Sequence, residues 1–118
     1  MSDAPRLHPG VIADAATVVL AHVPVEADQV VAGSPTTSHL VLDDDGGRTV
    51  GVWEMSVGAM RDVEADEVFV VLSGAATVEF ADGTTPLNLR PGTVARLAAG
   101  AETVWTVTET LRKLYLAG

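Results

Sequence analysis

From residue 37 onward the apolar positions fall into short runs rich in valine and threonine, separated by turn residues roughly every 8 to 12 positions. This spacing predicts an antiparallel sandwich or barrel rather than helices. A strand over residues 38–42 is followed by Asp43-Asp44-Asp45-Gly46-Gly47, which reads as a hairpin turn, and then by a strand over 49–57. Residues 67–72 form a dense β run stopping at Ser73-Gly74. A further strand over 76–80 leads into the Asp82-Gly83 turn, so two hairpins are expected. Strands over 85–89 and 93–97 stop at Arg90-Pro91-Gly92 and Ala98-Ala99-Gly100. Residues 102–108 alternate in the strand manner, and 111–116 make a closing strand. The first 36 residues carry no such period. Pro5, Pro9, Pro24 and Pro35 break them into an arm with one or two edge strands and room for a short helical turn near 13–20. No repeat or linker sets the arm apart, so residues 1–36 are read as part of the same domain as 37–118.

Length agrees with one core: 118 residues suit a single domain. A hydrophobic share of 47% with only 19% charged residues, and a mean hydropathy of +0.30, gives enough apolar surface to offset chain entropy. No window approaches the about 18 to 20 apolar residues of a membrane helix. The Met-Ser-Asp-Ala-Pro start lacks the basic-then-apolar layout of a secretion signal, so a cytoplasmic protein is expected. The absence of cysteine excludes disulfides, zinc fingers, iron–sulfur clusters and thiol nucleophiles. Seven basic against sixteen acidic side chains give a formal charge of -9, which repels nucleic acid and anionic membranes. A homodimer is the expected assembly, because a sheet edge is readily covered by a twin copy. There is no Gly-rich phosphate loop and no Gly-x-Ser-x-Gly elbow.

One set of residues points further. Gly51-Val52-Trp53-Glu54-Met55, Gly58, Asp66-Glu67 with Gly74 seven positions on, Asp82-Gly83, Pro91-Gly92, Gly100, Trp105 and the ending Leu111-Arg112-Lys113-Leu114-Tyr115 together resemble the cupin superfamily. Within it they are similar to the small single-domain cupins related to ureidoglycine aminohydrolase and to an ethanolamine-utilisation protein. The likeness covers roughly residues 28–117. It implies an all-β fold, a double-stranded β-helix or RmlC-like jelly roll whose open end holds a small-molecule or metal site. The superfamily pattern places a His-x-His pair before the glutamate and a third histidine after the later glycines. Here Glu67 and Gly74, then Gly92 and Gly100, match that pattern. The paired histidine slots fall on Met60 and Asp62, or on Arg61 and Val63, and the third falls on Thr103.

A transition metal in such a barrel needs three or four converging donors, and one glutamate cannot supply them. Asp62, Glu64 and Asp66 would share a face at a period of two, but they read more simply as a solvated acidic loop before the strand. His8, His22 and His39 read as surface or satisfied core residues. No metal is therefore assigned and no cofactor is expected, with a divalent ion as the alternative. Glu67 shares its strand face with Phe69 and Val71, where a carboxylate demands a partner. It is either a catalytic acid or base or a substrate anchor, or it is satisfied by Arg61, Arg96 or a backbone amide. Trp105 shares the parity of Thr103 and so faces the interior, as does Trp53, either as core packing or as pocket wall. Arg61 is either an exposed loop residue or a clamp for a carboxylate-bearing ligand. Arg112 and Lys113 point to opposite faces, and Tyr115 shares the face of Lys113.

The expectation is a cupin that binds a small polar metabolite without a transition metal, through Glu67, Trp53, Arg61, Thr103 and Trp105. A metal-dependent hydrolase similar to ureidoglycine aminohydrolase is one alternative. A structural or regulatory dimer with a filled barrel is the other, since the same barrel hosts many activities.

Overall fold

A computed structural model describes residues 4–118. The described residues form nine strands: β1 (Val23–Pro24), β2 (Val30–Ala32), β3 (Thr36–Asp44), β4 (Thr49–Met55), β5 (Gly58–Val63), β6 (Glu67–Phe80), β7 (Leu87–Leu89), β8 (Val94–Leu97) and β9 (Glu102–Ala117). All pairings are antiparallel, and the described residues contain no helix. The result is a curled all-β jelly roll: the alternation predicts its antiparallel strands, and the cupin resemblance implies their jelly-roll arrangement.

The framework is a three-strand ladder with β9 in the middle. One edge of β9 pairs β4 from Thr49↔Ala117 to Met55↔Leu111, and then β5 from Gly58↔Val107 to Val63↔Glu102. Only Ser56 and Val57 interrupt this edge. The other edge pairs β6 from Glu67↔Ala117 to Phe80↔Thr103, with register shifts confined to residues 71–76. Both ladders therefore break at the same level of β9, between Val107 and Leu111, and the sheet bends there over its own core. The bulge centres on Gly74, at φ +90°, where a Cβ would overlap the carbonyl of Thr110. Ser73-Gly74 therefore works as a bend within one 14-residue strand rather than as the strand end expected from sequence. In the same way residues 102–108 and 111–116 join into the single 16-residue β9. Strand β5 departs from the sequence reading, in which Asp62 and the acidic residues after it form a solvated loop; its pairing with β9 makes it a strand.

Met55, Met60, Phe69, Val71, Val78, Leu89, Leu97, Trp105, Val107 and Leu111 fill the inside of the bend. The early segment wraps the outside. Strand β1 extends the edge at β3, and β2 extends the edge at β5. Residues 15–17 form one turn, with the Val18 amide donating to the Asp14 carbonyl, where a short helical turn was expected. Arg112 pins this segment: its Nη1 donates to the carbonyls of Ala15 (3.1 Å) and Val18 (2.7 Å), while its Nε donates to Glu54 Oε2 at 2.7 Å. Glu54 Oε1 lies 2.7 Å from His22 Nε2, and the other ring nitrogen of His22 contacts Thr36. Burial pushes the Glu54 carboxyl up, but hydrogen bonds and charge from Arg112 and His22 outweigh it, leaving the group below the ordinary value of 4.5.

Two outcomes are expected. Gly74→Ala combines a positive φ with a backbone overlap and should cost at least about 2 kcal/mol in denaturant unfolding, whereas Gly83→Ala, which meets nothing, should cost less. Because its folded-state value is lowered, the contribution of Glu54 is complete above pH 4.5 and is lost as pH falls through that lowered value. Glu54→Gln should consequently flatten the acid limb of a stability–pH profile, measured by thermal unfolding.

Candidate functional site

Cross-strand register places the site side chains in rows on the inner face. Asp62 pairs Thr103, Met60 pairs Trp105, Trp53 pairs Lys113, and Gly51 pairs Tyr115, whose ring occupies the space a Cβ on Gly51 would need. Trp105 and Lys113 are eight residues apart on one strand, about 26 Å in a flat sheet. The bend closes that gap and puts the Lys113 ammonium 4.8 Å from the Trp105 ring centroid. The same Nζ stands 4.9 Å from Trp53 and 4.5 Å from Phe69. The two tryptophan rings are 5.3 Å apart. Lys113 is the only lysine of the chain and is 4% exposed. Such a charge is tolerated inside because Glu67 Oε1 accepts its proton at 2.8 Å and three aromatic faces surround it.

A second carboxylate is held across the cavity. Glu64 Oε2 accepts from Thr103 Oγ1 at 2.6 Å and from the Trp105 indole Nε1 at 2.8 Å. A third, Asp62, accepts the Val63 amide at 2.8 Å. Burial and the neighbouring charge of Glu64 push the Asp62 carboxyl above its ordinary value, against the pull of that amide and of Lys113. Burial and the charge of Glu67 likewise raise the Tyr115 phenol. The two tryptophans, the three carboxylates, Lys113 and Tyr115, with His39 at the rim, line a cavity of about 310 Å³.

The sequence model of the EutQ-like cupin domain matches residues 42–115. The chain belongs to that family. Three solved structures are similar to this cupin in fold. A DUF861-family protein of unknown function from Pseudomonas syringae shares 20% identity at a TM-score of 0.72, over 87% of this chain and 46% of its own. The chain thus spans about half the length of that relative. The EutQ protein of Clostridium difficile is 17% identical at a TM-score of 0.63, over 80% of this chain and 79% of its own. An ethanolamine utilization protein Q from Salmonella typhimurium is 18% identical at a TM-score of 0.60, over 86% and 96%. No curated protein matches the chain.

The EutQ-like cupin brings together four of the five residues singled out from sequence. Trp53, Glu67 and Trp105 line the cavity, and Thr103 stands behind it, fixing Glu64. Arg61 does not join them. Strand alternation turns Asp62 inward and leaves Arg61 exposed on the outer row with Val104 and Glu79, so it is no clamp for this cavity. Nor does Arg61 or Arg96 satisfy Glu67; that partner is Lys113, and Arg96 lies 3.9 Å from Asp66. The acidic-loop reading holds for exposed Asp66, which accepts the Ala99 amide, and fails for Glu64, which is 8% exposed, and for half-buried Asp62. Of the histidines, His39 reaches the cavity rim. The signal for Lys113 was available, since a chain's sole lysine placed in an apolar strand beside Tyr115 is unusual.

The superfamily's metal does not suit these donors. Among the described residues no three His, Asp or Glu side chains converge as a metal site requires. Glu67 is held by an ammonium, and one Glu64 oxygen is occupied by two donors. A divalent ion beside Glu67 would meet the charge of Lys113.

Because the Asp62 value is raised, ionising it disfavours the folded state: stability present at low pH is lost as pH rises through that raised value. Asp62→Asn, which keeps an acceptor for the Val63 amide, should therefore melt higher than the parent at pH 7. The advantage should disappear below about pH 3.8, the ordinary aspartate value, in parallel thermal scans.

Proposed function

We propose that this EutQ-like cupin binds a small polar metabolite at the barrel mouth without a transition metal. The observation that carries the reading is Lys113: an ammonium ion, paired with Glu67 and ringed by Trp53, Phe69 and Trp105, takes the place of an inorganic cation among the cavity carboxylates. A cavity of about 310 Å³ lies at the small end of the range for metabolite pockets. Aromatic walls with a few fixed polar groups are the usual make-up of such pockets. Tyr115, Asp62 and the outer oxygens of Glu64 and Glu67 are the groups a ligand would meet.

The test combines metal analysis with ligand screening. Purified protein offered manganese, iron, nickel and zinc should retain far less than one equivalent, and a metabolite panel read by thermal shift should yield a stabilising ligand. At ten times its dissociation constant such a ligand adds about 1.4 kcal/mol. Stoichiometric metal would overturn the metal-free reading. A panel without any stabilising compound would favour a filled, non-catalytic barrel.

A further inference from the structure

Three carboxylate oxygens in the cavity have no donor among the described residues: Glu64 Oε1, Asp62 Oδ2 and Glu67 Oε2, the last belonging to a carboxylate whose other oxygen already holds the Lys113 ammonium. Glu67 Oε1 is committed to Lys113, Glu64 Oε2 to Thr103 and Trp105, and Asp62 Oδ1 to the Val63 amide. No described group donates to Glu64 Oε1 or to Asp62 Oδ2. Glu64 is 8% exposed, yet no buried side-chain oxygen lacks a partner, so its free oxygen is reached from the cavity. Formal charge gives the same answer. Asp62, Glu64 and Glu67 face one ammonium, and no arginine lines the cavity. Beyond the rim imidazole of His39, an anionic ligand would find no free basic side chain to hold it. Asp62 and Glu64 are too few for a bare metal ion, and Glu67 already carries the Lys113 ammonium, whereas an alkylammonium or guanidinium group carries several N–H donors and one positive charge.

Resting on the metal-free pocket, we propose that its ligand is a small organic cation whose nitrogen donors bridge Asp62 and Glu64 beside the Trp53–Trp105 pair. Lys113 then has a second consequence: by neutralising Glu67 and covering the three ring faces, it confines the ligand's charge to the Asp62–Glu64 side. The burial that unsettles ionised Asp62 is what such a cation would offset.

Butylammonium, butyramide and butyrate share one skeleton and differ in charge, so they form a suitable probe set at constant ionic strength. The Trp105 indole N–H, hydrogen-bonded to Glu64, supplies a local reporter in ¹H–¹⁵N spectra alongside the melting temperature. Butylammonium is expected to shift that resonance saturably and to raise the melting temperature. Asp62→Asn, itself expected to be more stable than the parent, should weaken binding by about tenfold or more, as should Glu64→Gln. Butyramide or butyrate binding as tightly as butylammonium would overturn the cation assignment and leave the pocket reading standing. Calcium or magnesium binding there in place of butylammonium would overturn both, as would silence from all three probes together with an empty metabolite screen.

Discussion

Everything about the cavity depends on the bend that runs across β9 and the strands on its two edges. Strands β4 and β5 meet at Ser56-Val57, β9 turns between Val107 and Leu111, and β6 bulges around Gly74, all at one level of the sheet. Without it Lys113 and Trp105 would lie far apart on a flat strand. With it the ammonium, both tryptophans and the carboxylates of two sheet halves converge on one open cavity. The constraint is backbone geometry at one glycine, since a side chain at position 74 would collide with the neighbouring strand.

Adjacent residues on β9 then divide the remaining work by strand parity. Arg112 points outward, and its guanidinium ties Glu54 to the carbonyls of the wrapped early segment. Lys113 points inward to Glu67 and the aromatic rings. Each buried cation has its own carboxylate on a neighbouring strand, an arrangement that avoids an unpaired charge on either face of the sheet. The outer pair holds the shell in place, while the inner pair sets the electrostatics of the pocket. A change at one site should leave the other intact, because the strand backbone separates them.

In the EutQ-like cupin family frame, this chain keeps the glutamate and glycines of the superfamily pattern while its histidine slots hold other residues. Thr103, at one of those slots, orients Glu64, and Asp62, at another, faces the cavity with an acceptor to spare. Asp62 and Thr103 are thus inward and polar at two of these slots, while Met60, paired with Trp105, belongs to the apolar core. Fold likeness at 17–20% identity carries no further than the barrel, so the cavity's own groups must carry the argument about its ligand.

Much of the architecture is legible in the sequence because strand alternation and Gly/Asp/Pro turns are local signals. They predict an antiparallel all-β domain, the inward faces of Glu67, Trp53 and Trp105, and the opposite faces of Arg112 and Lys113. Local signals fail where the decisive neighbour is remote. Ser73-Gly74 looks like a strand end because its partner, the Thr110 carbonyl, is invisible to the local pattern. Glu64 looks like a solvated loop residue because Thr103 and Trp105 are about forty positions away. Arg61 and Asp62 exchange roles because inward parity on β5 is set by its pairing with β9, whose register no local feature of residues 58–63 reveals. Sequence by itself determined which side chains were available and how they alternate. Only the tertiary structure decided which carboxylate meets the lone lysine, because that depends on where a distant bend places two halves of one strand.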